Sequence, residues 1–392
     1  MDIRTIRIII GTCVLFTIRI ISTFVLLPII TSYGKSFNTN DLLIGISISI
    51  YSIIQMICQV PFGIAADKFN RKNLIVLGLI IFIFGNIIII KLNNIIGLII
   101  GRGIQGISAI SPVIMSIIHN SISDKYYTIA MMCLGISFLI SFIISIVFGP
   151  IITELISFNA LFIFITILSL LGIIITYLVI PDIKSDSIVR NKPKLNIISI
   201  IFNKNLVLIN FSIFCLHILL VSNFITIPYD LVKIGINYSN HWKVYLYSTS
   251  SFIITFILIN IFNKYKYKIL YILINFIIVF LISILLKTII FSKLLLIISI
   301  QLFFISFSMI EAILPQLLRQ VTTSIIPFYD GTLLGLYSTN QFLGSAIGGL
   351  ISGLILHITR SVKFVLFINV VILLLWLFVI IKNFNKLKKN NL

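Results

Sequence analysis

Acidic side chains are nearly absent from this chain. Ten Asp and Glu stand against twenty-nine Lys and Arg, and charged residues of both signs fill only 10% of 392 positions. A soluble domain carries roughly 25% charged residues, so a water-facing surface on every element is excluded. Cysteine is scarce too. Cys13, Cys58, Cys133 and Cys215 all fall in apolar runs, no pair has metal-ligand spacing, and they read as small hydrophobes rather than as a metal site. No nucleotide-binding loop, metal cluster or nucleophile triad stands out, and the longest polar stretch is 181–205. Neither an enzyme nor ATP-driven export is indicated, and no cofactor is implied. The first apolar run is long enough to span a bilayer and lacks an A-x-A-like cleavage site, so a removable signal peptide is not expected. The short alternating segments of a membrane β-barrel are missing.

Long apolar runs fill the space. The chain is 59% hydrophobic with a mean hydropathy of +1.20. A bilayer core of about 30 Å takes about 20 apolar residues per helix, and backbone polar groups in lipid pair within their own helix. The runs predict twelve helices, over 6–32, 41–65, 73–91, 95–118, 127–150, 158–180, 206–228, 243–262, 268–290, 293–317, 332–357 and 361–381. The polar stretch divides six from six. The expected plan is an all-α membrane protein with an N-terminal half (1–180), a linker (181–205), a C-terminal half (206–381) and a basic tail (382–392).

The net charge of +19 does not point to nucleic acid, because the basic residues sit in short loops without interleaved aromatics. It points to topology. Arg4, Arg7, Lys68, Arg71, Lys72, the linker and the tail fall on one side, and that side holds more than twice the Lys and Arg of the other. Both termini and the linker are therefore expected in the cytoplasm, with the chain multi-pass in a bacterial inner membrane. Six plus six spans suit a transporter built of repeated halves around a mid-membrane site, whereas few scattered polar residues argue against a wide aqueous pore.

Three motifs carry more. Between the second and third runs lies Gly63-x-x-x-Asp67-Lys68-x-Asn70-Arg71-Lys72. Asp67, at a helix end, can pair with Arg71 and with the positive N-terminus of a facing helix, latching the two halves; the alternative is a plain topogenic loop. The fourth run holds Arg102-Gly103-Ile104-Gln105-Gly106. An arginine inside a membrane is a functional candidate by default, and the alternative is a structural Arg bonded to helix carbonyls. The fifth run ends in Gly149-Pro150, where a proline can bend the helix and set the interface between halves. The first motif resembles the signature loop of the major facilitator superfamily, the second its R-x-x-Q-G element, and the third the Gly-Pro element of its proton-driven antiporters. Asn70 stands where that loop usually has Gly, and Asn also tolerates a left-handed backbone. Only Gly135 is left of the glycines that antiporters carry upstream.

Longer stretches sharpen the resemblance. Cys215-Leu-His217-Ile-Leu-Leu, Ile227-Pro228-Tyr229, His241-Trp242-Lys243, Met309-Ile310-Glu311-Ala312 and Tyr337-Ser-Thr-Asn-Gln-Phe-Leu-Gly344 are similar to a narrower family, the YajR-type transporters. That resemblance implies a proton-driven exporter of a small molecule, working by antiport. Three departures follow. The soluble domain that this family carries after the last span is not expected here. Asn120 stands where the family has an acid, leaving Asp124 as the nearest carboxylate. Tyr127 and Ile129 replace basic positions, so the gate network is thinned.

Of the ten acids only Glu311 falls well inside a run; Asp230, among others, falls in a predicted loop. Desolvation favours the neutral carboxyl, which makes Glu311 the candidate proton carrier, the alternative being a neutral structural glutamate. Arg19 and Arg102 are the candidate charges that return it to its ionised form, and Arg19 alternatively meets substrate or helix carbonyls. His217 is a possible proton relay or a satisfied core histidine. His241 and Trp242 read as loop residues with a structural role. The expected partners are a small-molecule substrate, protons and the lipid bilayer, with the protein a monomer. An uncoupled metabolite facilitator and a non-transporting relic are the competing functions.

Overall fold

The computed structural model describes residues 2–30, 39–122, 124–181, 203–237, 240–248, 250–264, 269–289, 292–325 and 330–389. Regular structure among them is helical: α1 (Ile3–Phe24), α2 (Asp41–Lys68), α3 (Arg71–Leu92), α4 (Ile95–Ile107), α5 (Ser111–Ser121), α6 (Asp124–Leu155), α7 (Phe158–Leu178), α8 (Lys204–Lys233), α9 (His241–Ser248), α10 (Ser250–Lys264), α11 (Ile269–Ile289), α12 (Lys293–Ile325), α13 (Asp330–Thr359) and α14 (Val362–Lys389). Among the described residues, twelve spans are long and apolar enough to cross a membrane; α4 with α5 makes the fourth and α9 with α10 the eighth. Most of the expected linker, together with Lys35 and the last residues of the tail, lies outside the described residues.

The burial pattern is that of a membrane protein. Phe84, Leu171, Phe367 and Phe378 are exposed, whereas Arg19, Gln55, Asn86, Arg102, Gln105 and Asn223 are buried. Ser and Thr hydroxyls inside the spans donate back along their own helix, as Ser22 does to Ile18 O (2.7 Å) and Ser169 to Ile165 O (2.9 Å). Each such group is satisfied without water. Asparagines start several helices: Asn40, Asn70, Asn94 and Asn203 accept from backbone N–H groups of the first turn. Asn70 uses no left-handed backbone. Its φ is −63° and its side chain caps α3 by accepting from Lys72 N at 2.9 Å. The left-handed residue is Asn93, at the other end of α3 (φ 43°).

Two seams join the first six spans to the last six. In one, α2 and α13 run antiparallel with backbones close. A Cβ on Gly45 would lie 2.8 Å from Gly349 O, Ser49 Oγ donates to Ala346 O (3.0 Å), and Thr339 Oγ1 donates to Met56 O (3.4 Å). Small residues permit such approach where lipid supplies no hydrophobic driving force. The other seam is aromatic. Phe142 of α6 meets Phe224 (5.9 Å) and Phe304 (5.8 Å) of the last six spans edge to face, with Phe24 of α1 (5.1 Å) packed against it on its own side.

Several expected bounds move. The fourth span breaks at Ser108–Ile110, just before Pro112, which sits in the first turn of α5. Proline cannot donate to the preceding turn, so a new helix starts there. The seventh span passes through Pro228 to Lys233, so Pro228, Tyr229 and Asp230 are helical rather than loop. His241 opens α9 and is buried, its Nε2 3.1 Å from Ile236 O. Pro150 lies inside α6, which runs on to Leu155. A Cβ on Gly149 would meet Val25 O at 2.7 Å, so this glycine seats α6 against the chain just beyond α1.

Candidate functional site

A cavity of about 110 Å³ lies between the two sets of six spans. Phe16, Arg19 and Thr23 of α1, Tyr51 of α2, Arg102 of α4 and Phe138 of α6 line one wall. His217 of α8, Glu311 of α12 and Tyr337, Gln341 and Ser345 of α13 line the other.

The first wall is built around Arg102. Its Nη1 donates to Gln105 Oε1 (3.0 Å), one turn along α4, and Gln105 Nε2 donates to Asn86 Oδ1 of α3 (2.5 Å). The guanidinium carbon stands 3.9 Å from the centre of the Tyr51 ring, a cation–π contact shielded from water. Gly106 makes this possible, because a Cβ there would lie 2.7 Å from Tyr51 O. The R-x-x-Q-G spacing therefore has a local physical account: Gln105 braces the arginine and Gly106 admits the helix that carries its aromatic platform. Arg19 also faces Tyr51, at 5.7 Å, and Phe82 at 5.6 Å. It is 3% exposed, and none of its three guanidinium nitrogens has a hydrogen-bond partner. Neither arginine is paired with Glu311 among the described residues.

The second wall is a titratable pair. His217 Nε2 lies 3.3 Å from Glu311 Oε2, and His217 Nδ1 lies 3.4 Å from Ser345 Oγ, which is 3.2 Å from Gln341 O. Both protonation states of the carboxyl are served. Ionised Glu311 accepts from Nε2–H while Nδ1 accepts from the serine. Protonated Glu311 donates to Nε2, Nδ1–H donates to Ser345, and the serine donates to Gln341 O. Glu311 keeps 16% of its side chain exposed to the cavity, so water can reach it.

Other polar contacts were not anticipated. Tyr229 Oη donates to Asp41 Oδ1 at 2.6 Å, tying α8 to α2 at the end of the bundle remote from the chain termini. Buried Lys287 of α11 donates to Asn223 Oδ1 of α8 (2.8 Å) and, with Asp230, Lys233, Arg360 and Lys363, borders a second cavity of about 330 Å³. The sequence signal was available in each case: a polar residue in or beside an apolar run. Of the loop motif, Gly63 is buried, Lys68 exposed, and Arg71 Nε donates to Ala66 O (3.2 Å). The side chains of Asp67 and Asn120 lie outside what is described, as do those of Asp124, Tyr127 and Ile129.

This arrangement, an interior cavity walled by both sets of spans, agrees with the comparisons. The family model described as the Major Facilitator Superfamily matches residues 12–349. The chain belongs to that superfamily. An uncharacterized transporter of Buchnera aphidicola subsp. Acyrthosiphon pisum is 39% identical over 359 residues, covering 89% of this chain and 90% of that protein. The inner membrane transport protein YajR of Escherichia coli is 36% identical over 349 residues, covering 88% of this chain and 76% of YajR. The solved nucleoside transporter NupG has the same fold, with a TM-score of 0.73 over 98% of this chain and 99% of its own at 15% identity. The chain is thus a multi-pass membrane transporter of this superfamily, and its relatives are transporters rather than enzymes.

Proposed function

We propose that this transporter moves a small molecule by alternating access, coupled to protons through Glu311. The observation that carries the reading is the Glu311–His217–Ser345 chain, which can hold or release one proton without stranding a partner. The two sets of spans act as the moving halves, with Gly149–Pro150, Gln105 and Gly106 at helix contacts and the Asp67–Arg71 loop as gate. The chain sits as a monomer in a bacterial inner membrane, both termini in the cytoplasm. A reporter fused after Leu392 that is active only outside would overturn this orientation.

Export in exchange for protons is the sense implied by the motif resemblance. Electrostatics makes that sense depend on substrate charge. A cation competes with the proton at Glu311 and is exchanged for it; an anion is favoured by the protonated carboxyl and travels with it. The test uses proteoliposomes carrying a pH-reporting dye. Glu311→Gln mimics the protonated form and cannot cycle, so substrate-dependent proton flux and uphill transport are lost while counterflow survives. Proton flux equal to that of the natural protein would place the carrier elsewhere or leave an uncoupled facilitator.

A further inference from the structure

We infer that the central cavity is built for a small organic anion, a carboxylate on an aromatic or short apolar body. The inference rests on reading this cavity as the substrate site, and it does not require proton coupling.

The first observation is Arg19. A guanidinium offers five N–H donors and does not deprotonate in proteins. Here all three nitrogens are buried with no hydrogen-bond partner, and the side chain lines the cavity. A buried charge is normally paired. The rings of Tyr51 and Phe82 supply the nearest compensation, each more than 5 Å from the guanidinium carbon, and neither accepts the fork of donors.

The second observation is Arg102. It stands on the same Tyr51 ring and gives Nη1 to Gln105, a neutral amide. Two fixed positive charges thus converge on one aromatic platform. Among the described lining residues Glu311 is the only carboxylate, and its Oε2 is engaged by His217 on the opposite wall. With Glu311 ionised the lining carries one net positive charge, and with Glu311 protonated it carries two. A cationic substrate would meet that charge unscreened. A carboxylate placed between Arg19 and Arg102 would receive paired N–H donors in the geometry that guanidinium favours.

The third observation is the aromatic part of the lining. Phe16, Phe24, Phe138 and Phe342 line the same cavity as the arginines. They suit a flat or apolar body. Such an anion is bound best with Glu311 protonated, the other charged or titratable groups facing it being Arg19, Arg102, His217, Tyr51 and Tyr337.

Binding to the purified full chain in detergent tests this directly, with benzoate and benzylammonium as matched probes and inorganic phosphate as the third. Benzoate is expected to raise the melting temperature in a concentration-dependent way and to bind at least about tenfold more tightly than benzylammonium. Arg19→Gln should weaken benzoate about tenfold or more, and Arg19→Lys should retain part of the affinity, because lysine keeps the charge but not the fork. Benzylammonium binding as well as benzoate, neither probe binding at millimolar concentration, or phosphate binding as well as benzoate would overturn the proposal. So would Arg19→Gln binding benzoate within about twofold of the natural protein. If Arg19→Gln does not fold, the discrimination between probes by the natural protein decides alone. Benzoate binding without proton flux in liposomes would remove the coupling and leave the anion site standing. Proton-driven exchange of a cation would do the reverse.

Discussion

The two walls of the central cavity use the same packing device to opposite electrical ends. On the first, Gly106 lets α2 close on α4 and brings Tyr51 beneath Arg102. On the second, Gly344 lets α8 close on α13, where a Cβ would overlap Phe214 O and press on His217 Cβ at 3.2 Å. Both walls thus place a candidate functional side chain through backbone contact, which tolerates little displacement. They differ in what is placed. The first wall holds guanidiniums whose charge does not change over physiological pH. The second holds a carboxyl and an imidazole in hydrogen-bond contact, 3.3 Å apart, two groups able to exchange a proton. On the mechanism proposed above, selectivity would rest on the fixed wall and energy coupling on the other.

The hardest way to break the comparison is to push the walls apart. Gly344→Ala drives a methyl group into a carbonyl oxygen of the adjacent helix, and overpacking of that kind typically costs about 1–3 kcal/mol. The expected result is a lower melting temperature in detergent and uphill transport reduced by about tenfold or more, because His217 no longer meets Glu311. Gly103→Ala is the control. Its Cβ would lie 3.2 Å from Ile54 Cδ1, the far end of a flexible side chain, and it should behave like the natural protein. Equal loss in both variants would mean that helix glycines matter here only in general.

How much of this was legible beforehand follows from what kind of signal each feature leaves. The spans were plain because lipid leaves no other backbone solution for runs this apolar. Arg19, Arg102, His217 and Glu311 stood out because ionisable residues are rare in such runs. That the arginines and Glu311 come together was expected; that they stand on facing walls rather than as a pair was not legible, because Arg19 and Glu311 lie almost three hundred positions apart and only packing sets their geometry. The expectation that the arginines serve the carboxyl also missed their geometry. Tyr51, an aromatic among many, gave no signal of its own, yet both guanidiniums stand on it. The break in the fourth span, read as one helix over 95–118, left its signal in Pro112, whose effect on the preceding turn is local chemistry. The helical Pro228 shows that the same residue in a long packed span is tolerated.

A smaller effect sharpens the first wall. Gln105 joins Arg102 to Asn86. Gln105→Leu keeps the volume nearly constant and strands both partners, and a buried polar group left unpaired costs about 1–3 kcal/mol. Since Gln105 holds Arg102 but does not itself line the cavity, the change should act through the position of Arg102. The affinity for benzoate should fall about three- to tenfold, while substrate-independent proton binding by the second wall is unchanged. A matching loss of proton flux in the absence of substrate would show that the walls are not separable.

The smallest expected effect concerns the bond that holds the walls together at one end. Tyr229 donates to Asp41 at 2.6 Å, between α8 and α2. If the two sets of spans alternate as proposed, that end parts in the opposite state and the bond breaks once per cycle. Tyr229→Phe removes it without changing the ring. Hydrogen bonds between membrane helices average about 0.6 kcal/mol and reach about 1.7, which corresponds to a shift of about three- to twentyfold in the ratio of the two states. The readout is the labelling rate of a cysteine placed at Thr23, on the cavity wall, with the four native cysteines replaced by serine. A membrane-impermeant reagent added on the side of Asp41 should label Tyr229→Phe faster than the parent, and the same reagent from the opposite side should label it more slowly. Opposite changes on the two sides are the signature of a shifted equilibrium between states. Faster labelling from both sides would instead mean a loosened fold, and no change from either would mean that the α2–α13 glycine seam, rather than the tyrosine, holds that end closed.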